Sequence, residues 1–248
     1  MKAMARLERV VYRSDAASIT DIVAYGQEEI RFDSQCVVFV RSGYFAKRSK
    51  QTVAIVDPNY LVFGGASECL FAGDCKHLSA CTIVRYSEDV SVSASPGCAI
   101  ASSHAFFLQA QLLQEARLQR HSPEAQIFGL VCETRSDAAI VSCAHSRLVT
   151  EIRRLLNESS SRRVPLEAIA GEFYTSPFTV SRVFHRETGI RLRDYSSRLR
   201  LRKALNLLIQ SRKNLTGIAT DLGFYDESHF SKAFRAEFGV CPHSVRKY

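Results

Sequence analysis

The chain has 248 residues, 46% of them hydrophobic and 23% charged, with a formal net charge of +8. That length accommodates two domains of ordinary size, and the composition is that of a globular protein rather than a fibrous or disordered one. No apolar run approaches the roughly 18 residues that span a bilayer, and the opening MKAMARLERV lacks a signal-peptide stretch; the expected location is the cytoplasm, with no membrane contact.

The charge is unevenly placed. Up to position 144 there are 14 Lys and Arg against 15 Asp and Glu, and after it 19 against 10. The basic excess therefore lies in the last two fifths, as expected if that part meets a polyanion and the rest does not. Seven of the eight cysteines fall in the first 144 residues among apolar neighbours. Cytosolic thiols stay reduced. Cys69, Cys75 and Cys81 recur at intervals of six with His77 among them, a wider spacing than the close cysteine pairs of zinc sites. Buried or incidental thiols are expected, with metal or redox sensing as the alternative.

From Asp21 to Ile100 the text is strand-like. CVVFV (36–40), TVAIV (52–56), YLVFGG (60–65), CTIVRY (81–86) and VSVSAS (90–95) are short β-branched or aromatic runs. Turn residues such as Asp57-Pro58-Asn59 separate them. This spacing predicts an antiparallel β-sandwich or small barrel. Near Ser102 the texture changes to two helices, SHAFFLQAQLLQEARLQR and then SPEAQIFGLVCETR, the second with Ser122 as N-cap and Pro123 at the first helical position. Their apolar stripes can pack on the β-domain, on each other or on a second subunit. A third amphipathic helix, SRLVTEIRRLLNES (146–159), opens the C-terminal domain.

That domain repeats itself. LEAIAGEF (166–173) pairs with LTGIATDL (215–222) at an offset of 49, and SRVFHRETG (181–189) with SKAFRAEFG (231–239) at an offset of 50. The one-residue insertion between the halves falls in a turn. Each copy reads as a short helix, a tight turn and a longer helix. Ile169, Ala170 and Phe173 line one face of the first short helix; Ile218 and Ala219 take the same places in the second. Ser176 caps the first long helix, with Pro177 following, and Asp226 caps the second. Phe184 and Phe234 anchor the buried stripes, small Ala170 and Ala219 permit close crossing, and Gly189 and Gly239 end the long helices.

This is helix-turn-helix grammar, in which the second helix enters the DNA major groove. With the phenylalanines inward, the outward set is Phe178, Thr179, Ser181, Arg182 and Arg186 in the first long helix. In the second it is Glu227, Ser228, His229, Lys232 and Arg235. The connecting helix at 192–210 carries the stripe Leu201, Ala204, Leu205 and Leu208, and Arg191, Arg193, Arg198, Arg200 and Arg202 crowd its N-terminal half. As a group these arginines suit phosphate contacts.

Residues 145–248 resemble the DNA-binding domain of AraC/XylS-family transcription regulators. The resemblance rests on Ile218-Ala219, Gly223-Phe224, Ser228-His229-Phe230, Phe234, Phe238-Gly239 and Pro242. It implies base reading by Phe178, Ser181, Arg182, Glu227, Ser228, His229 and Lys232. Backbone contacts are expected from Ser176, Thr179, Arg186, Arg191, Arg193, Arg198, Arg202 and Arg235. Ile169, Ala170, Phe184, Gly189, Ile218, Ala219, Gly223, Phe234 and Gly239 are expected to be structural. Tyr174 departs from the family by standing where a glycine is common, and Phe178 can touch a thymine methyl but cannot hydrogen-bond. The stretch GYFAKRSKQTVAIVDPNYLVFGGASECLFAG is similar to the cupin-like β-domain of some members.

The expected fold is therefore α+β in two domains. Residues 1–101 form a cupin-like sensor domain, 102–144 a helical segment for packing or dimerisation, and 145–248 an all-α double helix-turn-helix, its units at about 165–189 and 215–239. The implied function is a sequence-specific DNA-binding regulator, the expected partners being double-stranded DNA, RNA polymerase, a small-molecule or protein effector and a second copy of the chain. The resemblance implies an activator. No cofactor, metal or catalytic residue is expected. A catalytic cupin needs a His-x-His pair, whereas only His77 falls in the β-region, and no phosphate-binding glycine loop is present.

Overall fold

The computed structural model describes residues 6–26, 28–48, 53–66, 68–73, 78–87, 97–118, 123–136, 140–159 and 163–246. The chain divides into two units, Met1–Cys143 and Ala144–Tyr248. Together they hold antiparallel sheets and helices, the α+β class. Among the described residues no helix is long and apolar enough to cross a membrane.

Among the described residues of the first unit, seven strands make one sheet and four make another. The larger runs β1 (Arg6–Arg13), β2 (Ala17–Ala24), β9 (Ser79–Tyr86), β4 (Cys36–Ser42), β7 (Tyr60–Gly64), β10 (Gly97–Ile100) and β11 (Ile140–Val141) in spatial order. The smaller runs β3 (Glu29–Arg31), β8 (Cys69–Ala72), β5 (Phe45–Arg48) and β6 (Val53–Val56). The pairings are antiparallel: β1–β2 and β5–β6 join consecutive strands, and β2–β9, β3–β8, β4–β7 and β4–β9 join strands distant in sequence. The run at 90–95 lies outside the described residues.

Strand alternation decides what meets the helices α1 (Ser103–Leu118) and α2 (Glu124–Ser136). Ile19, Val37, Phe39, Leu61, Phe63 and Val84 form one buried cluster with Leu112 and Leu113 of α1 and with Ile127, Leu130 and Val131 of α2. Both helical stripes thus cover a face of the seven-stranded sheet. The alternate residues Ile22, Val38, Val40, Val62 and Ile83 are buried as well. The smaller sheet adds buried Ile30, Phe45, Leu70 and Ala72.

Polar groups tie α1 to the same sheet. Gln109 of α1 donates to the Thr82 hydroxyl at 2.9 Å, and the buried Asp21 carboxylate accepts from both Arg41 of β4 and Arg117 of α1. Burial pushes the Arg41 pKa down while Asp21 pulls it back up, which is how a buried cation stays charged.

One expectation for this unit changes. The α2 helix begins at Glu124, with the Pro123 carbonyl accepting from Ile127 N–H at 2.8 Å, so Pro123 precedes the first helical position; Ser122 lies outside the described residues. In the thiol set, Cys69 is on β8 and Cys81 on β9, strands of different sheets. Cys81 is fully buried and its thiol is pushed up to about 12 by desolvation, which disfavours the reactive thiolate. Cys75 and His77 lie outside the described residues.

The second unit is helical: α3 (Arg147–Glu158), α4 (Leu166–Glu172), α5 (Pro177–Thr188), α6 (Leu192–Gln210), α7 (Leu215–Asp221), α8 (Glu227–Phe238) and α9 (Pro242–Val245). Buried Arg153 of α3 donates to the Tyr195 hydroxyl of α6 at 2.8 Å. The Tyr195 ring meets Phe184 of α5 edge-on at 5.0 Å. One polar and one aromatic contact therefore seat α3 and α5 against the long connecting helix.

Candidate nucleic-acid interface

The two repeats fold by the same local rules. After α4, Thr175 N–H reaches back to the Ala170 carbonyl at 3.0 Å and Tyr174 N–H to Gly171 at 3.2 Å. After α7, Phe224 N–H reaches Ala219 at 2.9 Å and Gly223 N–H reaches Thr220 at 3.1 Å. These bonds satisfy carbonyls that a helix end leaves open. The turn needs a left-handed residue: Gly223 supplies it at φ 69°, whereas Tyr174 occupies it at φ 50°. For a residue with a Cβ that conformation costs about 1–2 kcal/mol.

Side-chain caps start the long helices. Ser176 Oγ accepts from Thr179 N–H at 3.1 Å, and the Asp226 carboxylate accepts from His229 N–H at 2.6 Å. Gly189 and Gly239 close them at φ 71° and 75°. Val180 and Phe184 of α5 and Phe230 and Phe234 of α8 are fully buried. In the second repeat the rings run as a ladder, with Phe224–Phe230 at 5.2 Å, Phe230–Phe234 at 5.7 Å and Phe234–Phe238 at 4.7 Å. A face anchored this firmly leaves no freedom in which residues point outward.

On α5, Phe178, Ser181, Arg182 and Arg186 are exposed and Thr179 is half-buried. The Arg182 guanidinium lies 5.6 Å from the Phe178 ring centre, a cation–π contact one helical turn apart. Arg186 lies 3.5 Å from Glu187. On α8, Ser228, His229, Lys232 and Arg235 are exposed, and His229 meets Phe224 edge-on at 5.7 Å. Glu227 is half-buried and accepts from the Thr216 hydroxyl of α7, so it also holds the two helices together.

The arginines of α6 separate into two groups. Arg191 and Arg193 are exposed. Arg198 is half-buried and 3.9 Å from Glu237. Arg200 stacks over Phe224 at 4.9 Å and donates to the Leu222 and Gly223 carbonyls at 3.4 and 3.5 Å; burial and the nearby Arg163 charge push its pKa down. Arg202 contradicts its assignment as a phosphate contact: it is 0% exposed. It follows Tyr195 by seven positions and Leu199 by three, both buried, so helical period places it on the inward stripe.

A groove of about 1030 Å³ runs along α5, the start of α4 and the start of α6, and Arg163, Arg182, Arg186, Arg191, Arg193 and Arg200 line it with Phe178 and Ser181. Glu167 is its one lining carboxylate. Such a surface favours phosphate oxygens, for which guanidinium groups have matching geometry. Arg163 was not among the residues expected from sequence; its signal was the basic pair before α4.

Residues 169–248 match the family model described as a helix-turn-helix domain. The HTH-type transcriptional activator RhaS of Escherichia fergusonii is 41% identical over 92 residues, 37% of this chain and 33% of that relative. RhaS of Escherichia coli O157:H7 is 38% identical over the same length and shares. The match therefore spans about a third of the length of these curated relatives. Among solved structures, the C-terminal domain of AraT, a response regulator from Geobacillus stearothermophilus, is 29% identical over 41% of this chain and 85% of that one, with a TM-score of 0.40. An AraC-type regulator from Chromobacterium violaceum is 28% identical over 40% of this chain and 89% of that one, with a TM-score of 0.39.

Proposed function

We propose that this chain, whose C-terminal unit is a helix-turn-helix domain of the AraC type, is a sequence-specific DNA-binding transcriptional activator acting in the cytoplasm. The observation that carries the reading is the pair of matched helices, α5 and α8, each capped, anchored by buried phenylalanine and presenting a polar cationic face. Both lie in the part of the chain that holds all of the basic excess.

In this mechanism each long helix enters one major groove. On α5, Phe178 meets a thymine methyl while Ser181 and Arg182 hydrogen-bond to base edges, Arg182 being held over the ring it stacks on. On α8, Ser228, His229 and Lys232 read a second set, and Glu227 joins them by releasing Thr216 to accept from a cytosine amine. Ser176, Thr179, Arg186, Arg191, Arg193, Arg198 and Arg235 bear on phosphates, with Arg163 and Arg200 added from the groove. These contacts supply salt-dependent affinity, not sequence. The nineteen residues of α6 rise about 28 Å at roughly 1.5 Å each, near the ~34 Å between successive grooves on one face of DNA.

The first unit is the proposed sensor, a cupin-like domain that responds to a small-molecule or protein effector. Recruitment of RNA polymerase and a homodimeric state belong to the same proposal. Its DNA-reading part is tested by Arg182→Ala combined with Lys232→Ala. In competition binding against random duplex, the double variant should keep weak binding and lose preference for the selected site. Unchanged preference would sink the proposed reading faces.

A further inference from the structure

Among the described residues of the second unit, the exposed large hydrophobic side chains are Tyr174, Phe178 and Tyr225, at 98%, 71% and 92%. Phe178 is already placed on the reading face of α5. The two tyrosines lie outside the long helices, one in the turn of each repeat, though not at matched positions, since Tyr174 aligns with Gly223. Tyr174 stands two residues before the cap Ser176, and Tyr225 immediately before the cap Asp226.

Each ring forgoes the gain that burial brings an aromatic side chain. Tyr174 also keeps a left-handed backbone that glycine supplies without strain at Gly223. Neither cost has a return within the unit, because rings this exposed touch almost nothing there. Local strain that a glycine would relieve is characteristic of sites that meet a ligand.

We propose that Tyr174 and Tyr225 are DNA phosphate contacts, one for each helix-turn-helix unit; the inference rests on the DNA-binding reading above. When the N-terminal end of α5 or α8 enters a major groove, the turn before it stands at the groove's edge, where the backbone phosphates run. A tyrosine hydroxyl donates one hydrogen bond to a phosphate oxygen and its ring lies against the sugar. The side chain is uncharged, so it releases no counterion. Its contribution is therefore separable from that of the arginines.

The test uses the full-length protein, a duplex selected from a random pool by the wild type, and an unrelated duplex of the same length. Binding is followed by fluorescence anisotropy across a salt series. Tyr174→Phe and Tyr225→Phe should each weaken binding to both duplexes by roughly tenfold. The selected consensus and the slope of log K against log salt should stay unchanged. Tyr174→Gly should raise the melting temperature while weakening binding in the same way. A double Phe variant within twofold of wild type, or one selecting a different consensus, overturns the phosphate assignment. A wild type that binds neither duplex overturns the DNA-binding reading itself, and the tyrosine assignment with it.

Discussion

Arg193 and Arg202 carry the same charge in the same helix, yet the first is exposed and the second fully buried. Only the first can meet a polyanion. Arg193→Ala is therefore expected to reduce the salt slope of DNA binding by about one, as loss of a phosphate contact does. Arg202→Ala should leave the slope unchanged and cost about 3 kcal/mol of stability, read by thermal denaturation, because it empties a buried site. The outward residues of α5 and α8 were legible from period alone, since Phe184 and Phe234 fix the rotation of each helix. Arg202 was misplaced because the density of arginines was weighed without their angle around the helix. Tyr174 was visible as a departure from glycine, but its left-handed backbone follows from the turn's hydrogen bonds, which no local pattern states.

At the scale of elements, the caps and stops of the C-terminal helices stand where the sequence puts them. The connecting helix spans Leu192–Gln210, the expected 192–210. Gly239→Ala places a Cβ at φ 75° with open space around it, so strain alone sets the cost, about 1 kcal/mol in chemical denaturation. The strands were less legible. β1 is exposed along both faces through Arg6–Val10, so the alternation that marks a half-buried strand is missing. β3, β5 and β8 have three or four residues each, too few to establish a period. The seat of α1 was undecided because an apolar stripe does not name its partner. Asp21 and Thr82 settle it from the sheet side, by accepting from Arg117 and Gln109 of α1. Asp21→Ala should cost about 3–5 kcal/mol, measured as a fall in the denaturation midpoint, because Arg41 and Arg117 lose a buried counter-charge together.

Over the whole molecule, the partition of charge agrees with the partition of structure: the basic excess begins where the helical unit begins, at Ala144. Composition could place that excess but not aim it, because aiming depends on the buried rings that turn the cations of α5 and α8 outward. The central claim is that α5 and α8 read different bases through matched faces. The most direct measurement is selection of bound duplexes from a random pool by the full-length wild type, by Arg182→Ala and by Lys232→Ala. Wild type should enrich a two-part site with its halves about one helical turn apart. Each single variant should blur one half and leave the other sharp. A single undivided site, or variants that blur both halves alike, would contradict the account.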